Sequence, residues 1–444
     1  MDLDSRFKNV AVVGAAGKMG SGISLLLAQE MAFRALEKKD GTYVLNLIDV
    51  NDAALQGLLK YVREQSVKTA EKQVNRLRAI YADRADLVEN GEVIEAFVDE
   101  VMSHLRTGKT LQLAAESLLV FEAAFEKEEI KFGIYDELRR LCPKETYFFT
   151  NTSSIPLHVP AEKCGIQGRL IGYHFYNPPA VQKLVELITP RVCDPELVEL
   201  SMQLAKALRK TIVPSNDIAG FIGNGHFMRD GLFAIAEVER LAKEHGFVQA
   251  LYLVDKVSRD WLLRPMGIFQ LIDYVGIDVF QLILTVMSKH LGDPKLHSEL
   301  VDRLMGLGVK GGQTSSGAQK DGLLKYEKGK PVAVYDAEKK AYVAFDAAGW
   351  TRQADEKLGA LPDPKIAWKS LSKDPGKDAK IQAHFASLKT ASSLGAELAR
   401  RHHAASRDAG KLLVSTGVAK SPEDVNAVLT LGFFHVYGPI NDYL

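Results

Sequence analysis

The chain has 444 residues, of which 46% are hydrophobic, so it is long enough for two or three globular domains with proper cores. Its formal net charge is zero, which excludes a global field that would attract nucleic acid or an anionic membrane surface. Three widely spaced cysteines form neither a metal motif nor a disulfide framework. No run of about 18 apolar residues predicts a membrane span, and Met1–Phe7 is too short and polar for a secretion signal. We therefore expect a cytoplasmic protein.

The first predicted element is a buried strand, Lys8–Val13, which leads through a glycine-rich loop into a helix over residues 23–36. Backbone N–H groups and the dipole at such a helix start favour a pyrophosphate, which indicates a dinucleotide site. The loop reads G-x-x-G-x-x-G, one residue longer than the common G-x-G-x-x-G fingerprint, which leaves its detailed geometry open. The candidate cofactor residues in the loop are Gly14, Gly17, Lys18, Met19 and Gly20.

Asp49 ends the next predicted strand, which covers residues 43–48. A carboxylate at this place can accept hydrogen bonds from a ribose and repels a 2′-phosphate, which favours NAD over NADP. The alternative is that Asp49 only caps the following helix. Residues 52–106 have no proline and predict two long helices that are interrupted near Asn90–Gly91.

Two further buried strands are predicted, over residues 118–124 and 146–150. Glu126 and Lys131 follow the first of them and, taken alone, would form a surface ion pair; Glu122, inside it, is more readily structural. Residues 151–154 (NTSS) follow the second strand. Their small polar side chains can bind a substrate oxygen, but they are equally common in turns and caps.

A histidine and a glutamate flank a turn farther along the chain. An apolar strand over residues 170–173 ends at His174, Asn177–Pro179 forces a turn, and a second strand over 183–188 carries Glu186. A carboxylate that accepts one ring N–H fixes the tautomer of an imidazole and makes its other nitrogen a better base. The alternative is a structural histidine at a strand end.

The residues His174-Phe175-Tyr176-Asn177-Pro178 and Lys183-Leu184-Val185-Glu186 closely resemble the HF(F/Y)NP…KLVE run of the L-3-hydroxyacyl-CoA dehydrogenase family. The resemblance covers about residues 8–335 and, more weakly, the C-terminal end. It implies that His174 and Glu186 are the catalytic pair and that the cofactor is NAD. It also implies that the helices over residues 52–106 form an arm that leans over an acyl-CoA.

The same resemblance implies roles for other side chains. Ser153 would lie beside the 3-hydroxyl of the substrate and near the nicotinamide, and Glu126 and Lys131 would lie at the nicotinamide end of the cofactor. Asn224, in a segment similar to the family's D-x-P-G-F-x-x-N-R, would donate to a substrate oxygen. Ala219 and Gly225 replace the proline and the arginine of that motif.

Three more side chains complete the candidate binding residues. Asn177, beside the catalytic pair, is expected to steady cofactor and substrate. Lys68 and Lys72 could meet CoA phosphates, although a solvated helix face is the simpler interpretation for either one alone.

The C-terminal part continues the resemblance. Residues 254–280 are similar to the family's second-domain signature, and residues 311–326 to its closing segment, where the lysine that approaches NAD cannot be assigned between Lys310 and Lys320. At a constant spacing of 171 residues the tail repeats this domain faintly. The matching residues are Ala234, Leu241, Gly246, Val254, Val257 and Gly267 with Ala405, Leu412, Gly417, Val425, Val428 and Gly438.

The sequence thus predicts an α/β Rossmann-type, doubly wound N-terminal domain followed by all-α C-terminal domains that arose by tandem duplication. The predicted parts are an NAD-binding domain (1–189) with a helical arm (52–106), a helical domain (190–335), a linker with a hairpin (336–380) and a partial second helical domain (381–444). The duplication leaves a homodimer and a monomer both open.

The predicted activity is NAD-dependent oxidation of a 3-hydroxyacyl-CoA to the 3-ketoacyl-CoA, without a metal. One alternative is a dehydrogenase of a hydroxy acid without CoA on the same fold. The other is a non-catalytic NAD-binding protein.

Overall fold

The computed structural model describes residues 2–39, 41–314 and 317–444. It divides into two compact units, Met1–Asp217 (unit 1) and Ile218–Leu444 (unit 2). Ser315 and Ser316, in the predicted closing segment 311–326, lie outside the described residues.

Unit 1 is built on an eight-stranded sheet in the order β3-β2-β1-β4-β5-β6-β7-β8. All neighbouring strands are parallel except β6 and β7, which are antiparallel. The central strands are apolar and buried along almost their whole length, as expected for a parallel sheet covered on both faces. The strands are β1 (Asn9–Val13), β2 (Val44–Ile48), β3 (Leu105–Gly108), β4 (Leu119–Glu122), β5 (Tyr147–Thr150), β6 (Leu170–Phe175), β7 (Leu184–Thr189) and β8 (Thr211–Asn216).

The helices of unit 1 confirm the doubly wound prediction, since they alternate with the strands. The predicted arm consists of three helices and β3 rather than two helices, and a capping box between Glu89 and Glu92 starts the last of the three. The helices are α1 (Leu3–Phe7), α2 (Lys18–Lys38), α3 (Asp52–Lys72), α4 (Val74–Ile80), α5 (Asn90–Ser103), α6 (Glu128–Leu141), α7 (His158–Lys163) and α8 (Pro195–Ala207), with a 3₁₀ turn at Leu111–Ala114.

The first unit continues past the boundary predicted at residue 189. β8 pairs in parallel register with β7, from Leu184 opposite Thr211 to Thr189 opposite Asn216. A short sequence of mixed polarity on an edge strand gives little periodic signal, which is why the sequence does not predict this strand.

Unit 2 is mainly helical, as predicted, and the predicted hairpin is present as β10 and β11 of a small antiparallel sheet. Its three-stranded antiparallel sheet has the order β11-β10-β9, with β9 (Leu324–Glu327), β10 (Lys330–Asp336) and β11 (Ala341–Ala344). The helices are α9 (Gly223–His245), α10 (Phe247–Lys256), α11 (Ile268–Val275), α12 (Ile277–Leu291), α13 (Glu299–Gly306), α14 (Trp350–Leu358), α15 (Trp368–Leu371), α16 (Lys377–Thr390), α17 (Leu394–Ser415) and α18 (Pro422–Gly432), with a π-helical turn at Val257–Trp261 and a 3₁₀ turn at Ala347–Gly349.

The segment predicted as a linker, residues 336–380, contains α14 and α15. Ala354, Leu358 and Leu371 are buried in the core of unit 2. The segment is rich in Asp, Lys, Pro and Gly, so its few buried apolar residues gave no clear helical pattern in the sequence. The interpretation of the residues in α14 and α15 as a linker was therefore wrong.

Unit 2 repeats its own geometry at the 171-residue spacing seen in the sequence. Asp255 Oδ1 accepts a hydrogen bond from Phe269 N at 2.8 Å, and Asn426 Oδ1 accepts one from Ile440 N at 3.0 Å. The equivalent positions also share rare backbone conformations with positive φ. These pairs are Gly246 (+74°) with Gly417 (+76°), and Leu263 (+52°) with Phe434 (+57°). The matching contacts and backbone angles support a tandem duplication.

In the part of the chain that the structure describes, no individual helix combines the length and hydrophobicity needed to cross a bilayer. α11 and α12 reach that limit only as a pair, which is bent by 90° between them.

Candidate active site

The glycine loop after β1 is shaped by close backbone contacts. Gly14 has φ +76°, and a Cβ there would lie 2.6 Å from the carbonyl oxygen of Ala123. A Cβ on Gly20 would lie 2.0 Å from the carbonyl oxygen of Gly14. Gly17 is the N-cap of α2, which begins five residues earlier than predicted, so Lys18, Met19 and Gly20 form its first turn. The bare backbone at the start of a long helix fits a pyrophosphate.

Asp49 lies at the end of β2, next to this loop. Its Oδ2 accepts a hydrogen bond from Ala16 N at 3.1 Å, and its Oδ1 accepts one from Asn51 N at 3.1 Å. The cap of α3 is Asn51, whose side chain accepts from Ala54 N, so the alternative that Asp49 caps this helix is wrong. Asp49 ties the glycine loop to the neighbouring strand and keeps a carboxylate where a ribose is expected.

Lys131 is the centre of a buried ionic network. Its Nζ lies 2.8 Å from both carboxylate oxygens of Glu122 and 3.1 Å from Glu126 Oε2, and the residue is only 2% exposed. Tyr135 and Thr150 donate to the remaining positions of Glu122. Burial alone would lower the pKa of Lys131, but the charges of Glu122 and Glu126 raise it. Glu126 and Lys131 thus form an ion pair, but the alternative that it lies on the surface is wrong, because Glu122 completes it inside the unit. Their role at the nicotinamide end of the cofactor stays a prediction.

Glu126 holds the loop that carries Ser153. Its Oε1 accepts hydrogen bonds from Ser153 N at 3.0 Å and Ser154 Oγ at 3.1 Å, and from the hydroxyl of Thr152. Burial would raise the pKa of Glu126, but Lys131 and these hydrogen bonds lower it, so the residue is a carboxylate near neutral pH. A serine whose backbone is fixed in this way can present its hydroxyl without reorganisation.

His174 and Glu186 face each other across the antiparallel pair β6–β7, in the register predicted by the turn between them. His174 Nδ1 lies 3.3 Å from Glu186 Oε2. The glutamate is fully buried and the histidine is 8% exposed. β6 extends one residue beyond His174, and Asn151 Oδ1 accepts a hydrogen bond from Phe175 N at 2.9 Å, which joins the strand end to the loop of Ser153. The pair is thus placed at the carboxyl edge of the sheet, where doubly wound folds bind ligands.

The turn after His174 is fixed from two sides. Lys210 Nζ donates to the carbonyl oxygens of Pro179 at 2.6 Å and Gln182 at 2.7 Å, and burial lowers the pKa of this lysine to about 8. On the other side α2 approaches so closely that a Cβ on Gly22 would lie 2.8 Å from Pro179 Cδ. Asn177, the predicted steadying residue, opens this turn with a cis peptide bond to the next proline.

Asn224 belongs to unit 2, where it is the second residue of α9 and half-buried. Gly225, which replaces an arginine of the family motif, packs against the second copy of the helical module, since a Cβ there would lie 2.8 Å from Leu413 Cδ2. Lys68 and Lys72 are exposed on α3 in unit 1. The roles assigned to Asn224, Lys68 and Lys72 stay predictions.

Three residues that sequence reasoning missed take part in the site. Tyr176 donates to Glu186, Lys210 holds the turn, and Asp217 accepts from Leu157 N and His158 N beyond the Ser153 loop. Tyr176 stands in the His174–Pro178 run that the family resemblance singles out, where its position two residues after His174 was the available signal. The contacts of Lys210 and Asp217 could not be predicted, because both residues reach the site from segments whose packing is known only from the fold.

Comparison with known proteins agrees with this geometry. The family model "3-hydroxyacyl-CoA dehydrogenase, NAD binding domain" matches residues 9–218, and "3-hydroxyacyl-CoA dehydrogenase, C-terminal domain" matches residues 220–321. A probable 3-hydroxybutyryl-CoA dehydrogenase of Bacillus subtilis is 30% identical over 65% of this chain and 88% of its own length. A probable 3-hydroxyacyl-CoA dehydrogenase of Caenorhabditis elegans is 30% identical over 72% of this chain and 96% of its own length.

Among solved structures, 3-hydroxybutyryl-CoA dehydrogenase from Escherichia coli is similar over 98% of this chain and 90% of its own, with a TM-score of 0.62 and 23% identity. That likeness concerns the fold and extends into the C-terminal tail. The two family models together span well over half of the sequence. The chain belongs to the 3-hydroxyacyl-CoA dehydrogenase family.

Proposed function

We propose that this chain oxidises 3-hydroxyacyl-CoA thioesters to 3-ketoacyl-CoA with His174 as the general base. The observation that supports the proposal best is the buried pair of His174 and Glu186 at the carboxyl edge of the sheet. When bound, NAD supplies a nicotinamide that accepts a hydride. The glycine loop, which Gly14 and Gly20 allow to pack closely, would hold its phosphates, and Asp49 would hold its ribose.

His174 would take the proton of the 3-hydroxyl at Nε2, because its Nδ1 faces Glu186. The carboxylate holds the ring in the tautomer with the proton on Nδ1 and stabilises the imidazolium that forms. In the reverse direction the imidazolium returns this proton to the carbonyl oxygen. Both directions use the same two side chains.

Other residues would position the substrate. Ser153, held by Glu126, would donate to the oxygen on C3, and Asn224 to a hydroxyl or thioester oxygen. Asn177 would steady the turn beside the catalytic pair, while Lys68 and Lys72 would contact CoA phosphates. These roles extend the family resemblance to individual positions of this chain.

The decisive assay is oxidation of NADH with a series of 3-ketoacyl-CoA thioesters, compared with free acetoacetate and with NADPH. We expect turnover with the thioesters and NADH. His174→Ala should lower kcat by about 10²–10⁴-fold, the usual contribution of a general base, with NADH affinity retained. Turnover of the variant at the wild-type rate would refute the role of His174, and activity on free acetoacetate alone would refute the thioester as substrate.

We also propose that the chain is a monomer. α9 and α17, which start 171 residues apart, pack against each other inside unit 2, and Asp230 of α9 binds His402 of α17 at 3.1 Å. A second copy within the chain can thereby cover the surface that an isologous dimer would use. Sedimentation equilibrium should give a mass near 48.9 kDa at micromolar concentration, and twice that mass would contradict the proposal.

A further inference from the structure

We propose that Tyr176 is a positioning residue of the reaction, which sets the base strength of His174 by sharing the carboxylate of Glu186 with it. This inference rests on the role proposed for His174. Tyr176 Oη donates to Glu186 Oε2 at 2.9 Å, and His174 Nδ1 lies 3.3 Å from the same oxygen. The two donors therefore compete for one acceptor atom rather than taking one oxygen each.

The strand geometry brings the two donors to the same place. Tyr176 follows His174 by two residues and lies one residue beyond the end of β6, where its side chain reaches the same carboxylate as His174. Their ring centroids are 4.8 Å apart with the planes tilted by 41°. Tyr176 is 9% exposed and Glu186 is fully buried, so the three groups interact in a region of low dielectric.

Tyr176 remains a donor over the whole working range of pH. Burial raises the pKa of its hydroxyl well above the usual value, and the negative charge of Glu186 raises it further. The hydroxyl thus keeps its proton whenever His174 changes its own protonation state. It acts as a fixed dipole aimed at the carboxylate.

The hydrogen bond from Tyr176 to Glu186 should change the base strength of His174 in a definite direction. A charge-assisted hydrogen bond from Tyr176 stabilises the carboxylate and weakens its pull on the imidazolium. His174 therefore loses its proton more easily than it would beside Glu186 alone, which leaves more of it neutral and able to act as a base. Of the two strands that pair with β6 and β7 from outside, β8 has no ionisable side chain, and the one on β5, Tyr147, donates to Asp194 at 2.6 Å. Glu122, at the end of β4 beyond β5, is already paired with Lys131.

The substitution Tyr176→Phe tests this inference because it removes only the hydroxyl. A hydrogen bond to a charged group contributes a free energy equivalent to more than one pKa unit. Only part of that free energy acts on His174, because the bond is made to Glu186. The acid limb of the pH profile of kcat for oxidation should therefore move up by about 0.5–1 pH unit. Tyr173→Phe is the matched control. It removes a buried hydroxyl from the same strand, but that hydroxyl donates to Ser201 O at 3.3 Å and should leave the limb in place.

A second background tests whether the effect passes through the carboxylate. In Glu186→Gln the charge is absent, so adding Tyr176→Phe should move the pH profile no further. The NMR titration of the His174 ring, identified by its loss in His174→Gln, should show the same shift without substrate. An unmoved titration in Tyr176→Phe, an equal shift in Tyr173→Phe, or a full shift in the Glu186→Gln background would each overturn the inference. Absence of turnover in the wild-type protein would instead count against the proposed function and would leave the NMR test standing.

Discussion

Acidification is expected to destabilise unit 2 because it buries neutral histidines. Burial lowers the pKa of His226 and of His403 to about 4. Both residues are almost inaccessible to solvent, with 1% and 2% exposure. The carboxylate of Asp230 favours protonation of His226, and the positive charge of Arg264 opposes it. Protonation of either histidine therefore places a positive charge in a site that is shielded from solvent.

The direction of this change in stability follows from the pKa of each histidine in the folded and in the unfolded chain. Above about pH 6.5 these histidines are neutral in the folded and the unfolded chain, and between about 6.5 and 4 only the unfolded chain binds the protons. The contribution of these two histidines to the free energy of unfolding must therefore fall as the pH falls through this window, whereas buried Asp273, whose pKa burial raises to about 8, contributes in the opposite direction. From pH 7 to pH 5 each histidine should cost about 2 kcal/mol, or about 4 kcal/mol together. That is a large part of the 5–15 kcal/mol that stabilises a typical domain.

Tryptophan fluorescence can follow this unit alone, because all three tryptophans (Trp261, Trp350 and Trp368) lie in unit 2. Urea unfolding at pH 7 and pH 5 gives the loss of stability, and His226→Gln should reduce that loss by about 2 kcal/mol. His297→Gln, at a histidine whose side chain is 55% exposed, is the control and should not reduce it. A His226→Gln variant that loses as much stability between pH 7 and pH 5 as the wild-type protein would refute the reasoning.

Three further predictions concern unit 1. Gly22→Ala places a Cβ against Pro179 and should lower kcat by displacing the turn after the catalytic histidine, whereas Gly57→Ala, with no atom within 4 Å of the added Cβ, should not. Asp49→Asn keeps an acceptor for the glycine loop but removes the charge, so the preference for NADH over NADPH, measured as a ratio of kcat/KM, should shrink; an unchanged ratio would contradict the assignment. Lys131→Met leaves two buried carboxylates unpaired and should cost about 3–5 kcal/mol in urea unfolding followed by far-UV circular dichroism, and a loss below 1 kcal/mol would show that the network is not a main source of stability.

Much of the sheet could be predicted because its strands are short, apolar and separated by polar turns. The strand ends at Val13, Ile48 and Thr150 agree with the structure, since buried parallel strands give continuous hydrophobic runs. The meeting of His174 and Glu186 was also predictable. Their separation along the chain and the prolines between them leave a hairpin as the simplest geometry.

The elements that were missed depend on partners far away in the sequence. The bond between Lys131 and Glu122 could not be predicted, because nothing local shows that Glu122 of the preceding strand faces Lys131 inside the unit. β8 was missed because an edge strand next to β7 gains its order from pairing rather than from its own hydrophobic pattern. Local sequence patterns thus predicted the candidate catalytic pair. The charges that support the site and the edge strand of the sheet could be identified only from the tertiary structure.

One departure from the family motif in unit 2, the glycine at position 225, is explained by the duplication itself. Gly225 stands where the motif has an arginine, and at this position α17 of the second copy presses Leu413 against α9, so that any larger residue would require the buried Leu413 to move. At the 171-residue spacing Asn224 corresponds to Gly395, whose missing side chain makes room for the ring of Trp261. The second copy therefore has no counterpart of the asparagine proposed to bind substrate. It serves packing, and the chain carries one set of candidate catalytic residues rather than two.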